Sequence, residues 1–176
     1  ALNGSYGLQM LVDDDTALYV LDRSPMAETH YRARFYLDPN SMAMEEWDRF
    51  ELLLDSNWSF NVNLAYGNGE YMIAAECYDD GSNGYETEDY EISDAWHAVE
   101  IEWAAASSPG MNDGYLTLWI DGVLKETLSG LDTDEERISE VQLGVPADLD
   151  SGDSGTFYID AFASQRSNYI GLLAYE

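Results

Sequence analysis

Asp148, Asp150 and Asp153 alternate with serine and glycine in the run DLDSGDSG. Carboxylates spaced this closely, beside carbonyls in a glycine-containing loop, are the donors a hard cation needs. Ca²⁺ takes about six to eight oxygens of those two kinds. The run lacks the terminal bidentate Glu of a helix-flanked calcium loop, and a solvated acidic loop is its alternative reading. Asp13, Asp14 and Asp15, and Asp79 with Asp80 beside Gly81, form further acidic clusters open to the same two readings.

A second group of residues has the chemistry of a sugar site, where aromatic faces stack on the apolar side of a pyranose and planar polar groups read its hydroxyls. Trp58, Trp96, Trp119, Tyr78 and Tyr85 fall at strand ends or in loops, while Trp47 and Trp103 are expected in the core. Asn61, Asn63 and Glu76 supply amides and a carboxylate, and Arg34 a guanidinium. The carbohydrate-binding candidates are therefore Asn61, Asn63, Glu76, Trp58, Trp96 and Arg34. His30 and His97 each precede a strand outside any nucleophile or metallohydrolase motif. Cys77, the only cysteine, allows no internal disulfide and alternates with its neighbours as a buried, inert thiol would.

The elements that must position these groups are strands. Short alternating runs separated by turn signals fill the chain, and no long helical period appears. Tyr31, Ala33, Phe35 and Leu37 share one face of an early strand, with Arg32, Arg34 and Tyr36 on the other. Asn68-Gly69 is a two-residue hairpin turn whose register follows by counting outward. Gly67 pairs with Glu70, so Phe60, Val62, Leu64 and Tyr66 meet Cys77, Ala75, Ile73 and Tyr71 on one apolar face. The reverse face carries Asn61, Asn63 and Ala65 opposite Glu76, Ala74 and Met72, a small and polar strip that is either solvated or a ligand surface. Asp121-Gly122 makes a second hairpin of GYLTLWIDGVLKETLSG. HAVEIEWAA, Val141 to Val145 and Phe157 to Ala163 read as further strands. Leu131 to Ile138 could hold one helical turn and no more. The sum is an all-β chain, a two-sheet antiparallel β-sandwich, with residues 1–176 as one jelly-roll domain.

Seven basic residues stand against 35 acidic ones, for a net charge of −28. That surface repels phosphate, so nucleic acid and anionic membranes are improbable partners. High-salt adaptation, bound cations and the solubility of a secreted domain each account for the acidity. The 45% hydrophobic share excludes a disordered tail. No apolar run approaches the roughly 18 to 20 residues that cross a bilayer, so membrane insertion is not expected. A start at Ala1, with no Met or basic leader, suits a mature product or an excised domain.

Taken in order, YRARFYLDP, HAVEIEW, LTLWIDGVLKETLSG and FYIDAFAS resemble the concanavalin A-like lectin/glucanase superfamily, particularly its laminin-G-like jelly rolls. The resemblance spans roughly Tyr31 to Ile170, with WIDG and YIDAF its distinctive words. It implies a curved sandwich whose concave face holds a glycan in many members, often with a structural calcium ion. In the glucanase branch an Asp on the last strand binds that ion together with carbonyls near the N-terminus, and Asp160 matches that place, the alternative being a hydrogen bond to a neighbouring loop. The metal candidates are thus Asp160, Asp148, Asp150 and Asp153. The catalytic strand of the glucanases carries a Glu-x-Asp-x-(x)-Glu arrangement, whereas Glu100-Ile101-Glu102-Trp103 lacks the middle Asp and the third carboxylate. Glu100 and Glu102 sit about 7 Å apart on one strand face and are expected to be solvated.

The expectation is a secreted or cell-surface, non-catalytic domain that binds carbohydrate, a glycan or cell-surface polysaccharide, aided by structural calcium. An alternative is a structural subunit or adhesin domain of an extracellular filament, self-assembling through the apolar ends Leu8 to Val12 and Ile170 to Leu173. A second is a polysaccharide hydrolase or lyase.

Overall fold

The computed structural model describes residues 1–2 and 4–174. Its thirteen strands are β1 (Leu8–Val12), β2 (Leu18–Asp22), β3 (His30–Asp38), β4 (Asp48–Asp55), β5 (Phe60–Gly67), β6 (Glu70–Tyr78), β7 (Gly84–Glu86), β8 (Tyr90–Ile92), β9 (His97–Ala104), β10 (Gly114–Ile120), β11 (Val123–Leu131), β12 (Val141–Val145) and β13 (Gly155–Gln165). A six-stranded sheet runs β1-β13-β3-β9-β10-β11, and a seven-stranded sheet runs β2-β12-β4-β5-β6-β7 with β8 beside β6. The strand pairings are antiparallel. Among the described residues there is no helix, and the 131–138 segment is a bent connection in which Ile138 bridges Glu28.

The β5-β6 hairpin has the register its turn dictates, from Gly67 opposite Glu70 to Phe60 opposite Cys77. Asn68 and Gly69 take φ values of 56° and 85°, and Asp121 and Gly122 take 53° and 74°. Both turns thus carry the positive dihedrals that let a two-residue turn follow the strand twist. In β13 the pairing with β3 slips between Asp160 and Ala163, where Ala161 has φ 52°, a bulge that re-aims the end of the strand.

The inward faces of β3, β5, β6, β9, β10 and β13 meet between the sheets. Tyr31, Phe35, Phe60, Trp103 and Phe157 are wholly buried there with Ile73, Ile101 and Leu64. Cys77 lies in the same core. Trp47 corrects the reading that placed it there: it is 65% exposed. It sits outside the β4-β5 pair with its ring against Gly67, because its φ of 69° turns it out of the strand line.

The 8–12 and 169–173 segments lie on this chain's own sandwich. β1 pairs with β13, from Leu8 opposite Ile159 to Val12 opposite Gly155. The 169–173 segment crosses the outer face of the six-stranded sheet without joining it as a strand. There the Ile170 and Gly171 N–H groups donate to Glu100 at 2.9 Å each, and the Leu173 N–H donates to the Tyr36 hydroxyl at 2.9 Å.

Candidate functional site

The outer face of the seven-stranded sheet carries a polar floor built across β4, β5 and β6. Alternation on β5 sends Val62 and Leu64 inward and therefore Asn61 and Asn63 outward. Pairing then sets Glu51 of β4 beside Asn63 and Glu76 of β6 beside Asn61. The strip is not solvated: Asn61 is 1%, Asn63 2% and Glu51 5% exposed. Neighbours account for the burial. The Trp47 ring and the Met72 side chain both lie against Gly67 at one end, and the Arg49 guanidinium pairs with Glu86. Asp148 brings its charge to Glu51.

Asn61 donates its amide to Glu76 at 3.2 Å, which fixes its carbonyl oxygen as the free end. That Asn61 Oδ1, with Asn63 Oδ1 and Glu51 Oε2, is buried and receives no hydrogen bond from the protein. Such acceptors cost free energy until a donor reaches them. Burial, and after it the charges of Asp148 and Glu76, pushes the Glu51 carboxyl up to about 7. Near neutrality Glu51 is therefore divided between acceptor and donor forms.

An open depression of 310 Å³ borders this floor, lined by Asn57, Trp58, Tyr78, Asp79, Ser82 and Glu136. Tyr78 joins the two regions. Its ring edges the depression, and burial together with a hydrogen bond to Glu76 raises its hydroxyl to about 12. Trp58 is exposed beside it, held outward by a φ of 64° in the turn that Asp55 organises. There Asp55 Oδ2 accepts the Asn57 N–H at 3.1 Å and the Ser59 N–H at 3.3 Å.

Of the six sugar candidates, Asn61, Asn63 and Glu76 come together, and Trp58 stands next to them. Trp96 and Arg34 do not join them. Trp96 packs on Tyr158 at 6.4 Å and lines a separate 290 Å³ depression with Gln9 and Asp38. Arg34 lies on the six-stranded sheet beneath the C-terminal segment, donating to the carbonyls of Gly171 at 2.9 Å and Ala161 at 2.8 Å. Reading the sequence missed Glu51 and Arg49 as parts of the floor, and named Tyr78 only among the aromatics at strand ends. The one available signal was that β4 must neighbour β5, which local spacing does not encode.

Glu100 and Glu102 correct the expectation of a solvated acidic face. Glu100 is buried, faces the Arg32 guanidinium at 3.3 Å and accepts the two C-terminal N–H groups. Glu102 also pairs with Arg32 and with His30 at 2.6 Å, and accepts the Tyr115 hydroxyl at 2.9 Å. The reason is cross-strand register: Arg32 and Arg34 stand opposite Glu102 and Glu100.

Among the metal candidates, Asp160 accepts the Leu2 N–H at 2.5 Å and the Ala161 N–H at 2.6 Å, tying the N-terminal segment to β13. Asp150 and Asp153 converge instead with Asp48, their carboxylate oxygens within 4.8 Å of one another, while Asp148 turns toward Glu51. A second group, Asp80, Asp132 and Asp134, is half-exposed.

No protein-family model matches the sequence, and neither does any curated protein. Solved structures do match. The receptor-binding domain of botulinum neurotoxin C/D mosaic serotype superposes with a TM-score of 0.53 at 17% identity, covering 78% of this chain and 33% of that one. The botulinum neurotoxin serotype D ligand binding domain in complex with N-acetylneuraminic acid gives 0.57 at 12% identity, covering 93% and 43%. The binding domain of Paraclostridial Mosquitocidal Protein 1 gives 0.57 at 10%, covering 91% and 40%. The chain thus spans less than half the length of each. At these identities the likeness is one of fold: the chain is an all-β sandwich of two antiparallel sheets.

Proposed function

We propose that this chain is a non-catalytic, carbohydrate-binding sandwich of the laminin-G-like jelly-roll kind, working outside the cell. The observation that carries the reading is the row of buried acceptors on Glu51, Asn61 and Asn63 that no protein group satisfies. A hydroxyl-rich ligand supplies donors to such a row once the side chains over it swing aside, and Trp58 with Tyr78 offers a ring face in the adjoining depression. The depression lies at the small end of ligand sites, which run from about 300 to 1,000 Å³, and suits one or two sugar rings. Glu51 and Glu76 stand in the floor against one arginine, and Asp79 and Glu136 line the depression, so a neutral sugar fits better than a carboxylate-bearing one. Binding is favoured over turnover because Glu100 and Glu102 are committed to Arg32, His30 and the C-terminal segment. Two neighbours are a receptor-binding domain and a ligand binding domain in complex with N-acetylneuraminic acid, which supports a binding role.

A glycan array followed by calorimetric titration with neutral plant and marine polysaccharides tests it. Trp58→Ala and Asn61→Ala are expected to weaken binding by about tenfold or more, from the loss of one stacking face or one buried acceptor. Trp96→Ala should leave binding unchanged. No binding by the wild-type chain, with or without added Ca²⁺, would sink the proposal.

A further inference from the structure

We propose that Asp48, Asp150 and Asp153 hold a Ca²⁺ ion that ties the 146–154 loop to the start of β4. The site is assembled across the fold, and only two of its members are visible in the acidic run DLDSGDSG. A two-sided bridge between Ala43 and Ser154, with N–H to carbonyl distances of 2.8 and 3.0 Å, draws the loop against the segment before β4. The approach is close enough that a Cβ on Gly152 would lie 2.5 Å from the Glu45 side chain. Oxygens of the three carboxylates thereby come within 4.8 Å of one another.

Each carboxylate keeps one oxygen for a backbone N–H. Asp48 Oδ1 accepts from Arg49 at 2.8 Å, Asp150 Oδ1 from Gly152 at 2.6 Å and Asp153 Oδ2 from Asp150 at 3.3 Å. What remains points to a ligand. Asp153 is 4% exposed, and its Oδ1, like Asp48 Oδ2, is buried with no hydrogen-bond partner. Like charges brought together out of water demand either a proton or a cation.

The protein offers no cation of its own. Among the described residues, Arg23, Arg32, Arg49 and Arg166 pair with other carboxylates, Arg34 and Arg137 donate to carbonyls, and Lys125 lies over the Tyr90 ring. Those are all seven basic side chains of the sequence. An all-oxygen donor set with no histidine or thiol selects a hard ion, and loop ligands suit the irregular shell of Ca²⁺ better than the strict octahedron of Mg²⁺. Asp80, Asp132 and Asp134 have no comparably buried member and serve as an internal control. The ion site stands independently of the glycan reading.

The test is calorimetric titration of the chelator-treated full chain with CaCl₂ and with MgCl₂, paired with thermal melts. A saturable Ca²⁺ event of one ion per chain is expected, at least tenfold tighter than Mg²⁺, with a Tm rise of several degrees. Asp153→Asn and Asp48→Asn should each melt no lower than the metal-free wild type, since an amide relieves the repulsion, and should lose both the saturable event and the Tm rise. Asp132→Asn should keep both. A wild-type chain without a saturable Ca²⁺ event, or a wild-type response persisting in Asp153→Asn and Asp48→Asn, overturns the assignment.

Discussion

Glu100 shows how far a single side chain's role depends on what the fold brings to it. Its carboxylate receives Arg32 from the neighbouring strand and two N–H groups from a segment about seventy residues on, at 2.9 Å each. A buried carboxylate with three donors is satisfied, and it anchors the C-terminal segment on the sheet. Glu100→Gln removes the charge and turns part of the acceptor into a donor facing N–H groups. We expect a loss on the order of 1 to 3 kcal/mol in denaturant unfolding. Chymotrypsin should also cleave faster at Tyr169, which in the wild type packs on Trp119 with ring centroids 5.7 Å apart. Unchanged cleavage would show that other contacts hold the segment.

The turns and strand crossings set a different kind of limit. Gly69 and Gly144 both have positive φ, at 85° and 139°, yet their surroundings differ. A Cβ on Gly69 meets nothing within 4 Å, whereas one on Gly144 would lie 2.5 Å from the Leu18 carbonyl, where β2 pairs with β12. Gly69→Ala should therefore cost only the backbone penalty of about 1 to 2 kcal/mol. Gly144→Ala adds a backbone collision and should cost at least twice as much, with loss of amide protection along β2. Equal destabilisation of the two variants in urea melts would contradict this account. The same scale explains what local spacing conveys. The alternation of Phe60 to Tyr66 and the Asn68-Gly69 turn specify the β5-β6 register unaided, because both terms act over a few residues. The pairing of Glu51 with Asn63 needs β4 to choose β5, a contact that no short-range signal encodes.

Across the whole molecule, charge is the dominant variable. With a net charge of −28 the chain repels itself, and its seven basic groups are spent on particular contacts. Superimposed on this are carboxyls whose hold on a proton is strengthened by burial. Burial raises wholly buried Asp55 to about 6, against the lowering donors from Ser59 and Asn57, and Glu51 reaches about 7. A carboxyl whose pKa is raised on folding binds its proton more tightly in the native state. Its stability contribution is therefore largest at low pH and is lost as pH rises from the unfolded value, near 4, through the folded one. In chelator, Tm should fall between pH 5 and pH 7.5, and Asp55→Asn should shrink that fall while retaining the turn, since an amide oxygen still accepts the Asn57 and Ser59 N–H groups. A Tm that rises over this interval, or an unaltered slope in Asp55→Asn, would refute it.

The sequence by itself determined the fold class, the two hairpin turns, the register of β5 on β6 and the inward faces of β3, β5 and β6. These follow from alternation and from the positive φ that Asn-Gly and Asp-Gly accept, which are properties of neighbours along the chain. Tertiary structure alone decided which polar groups meet. It buried Glu100 under the C-terminal segment, separated Arg34 and Trp96 from the amide floor and turned Trp47 outward. It also brought Asp48 to Asp150 and Asp153 from about a hundred residues away. Such encounters are set by sheet order and loop closure over long separations, where composition and spacing carry no information about partners.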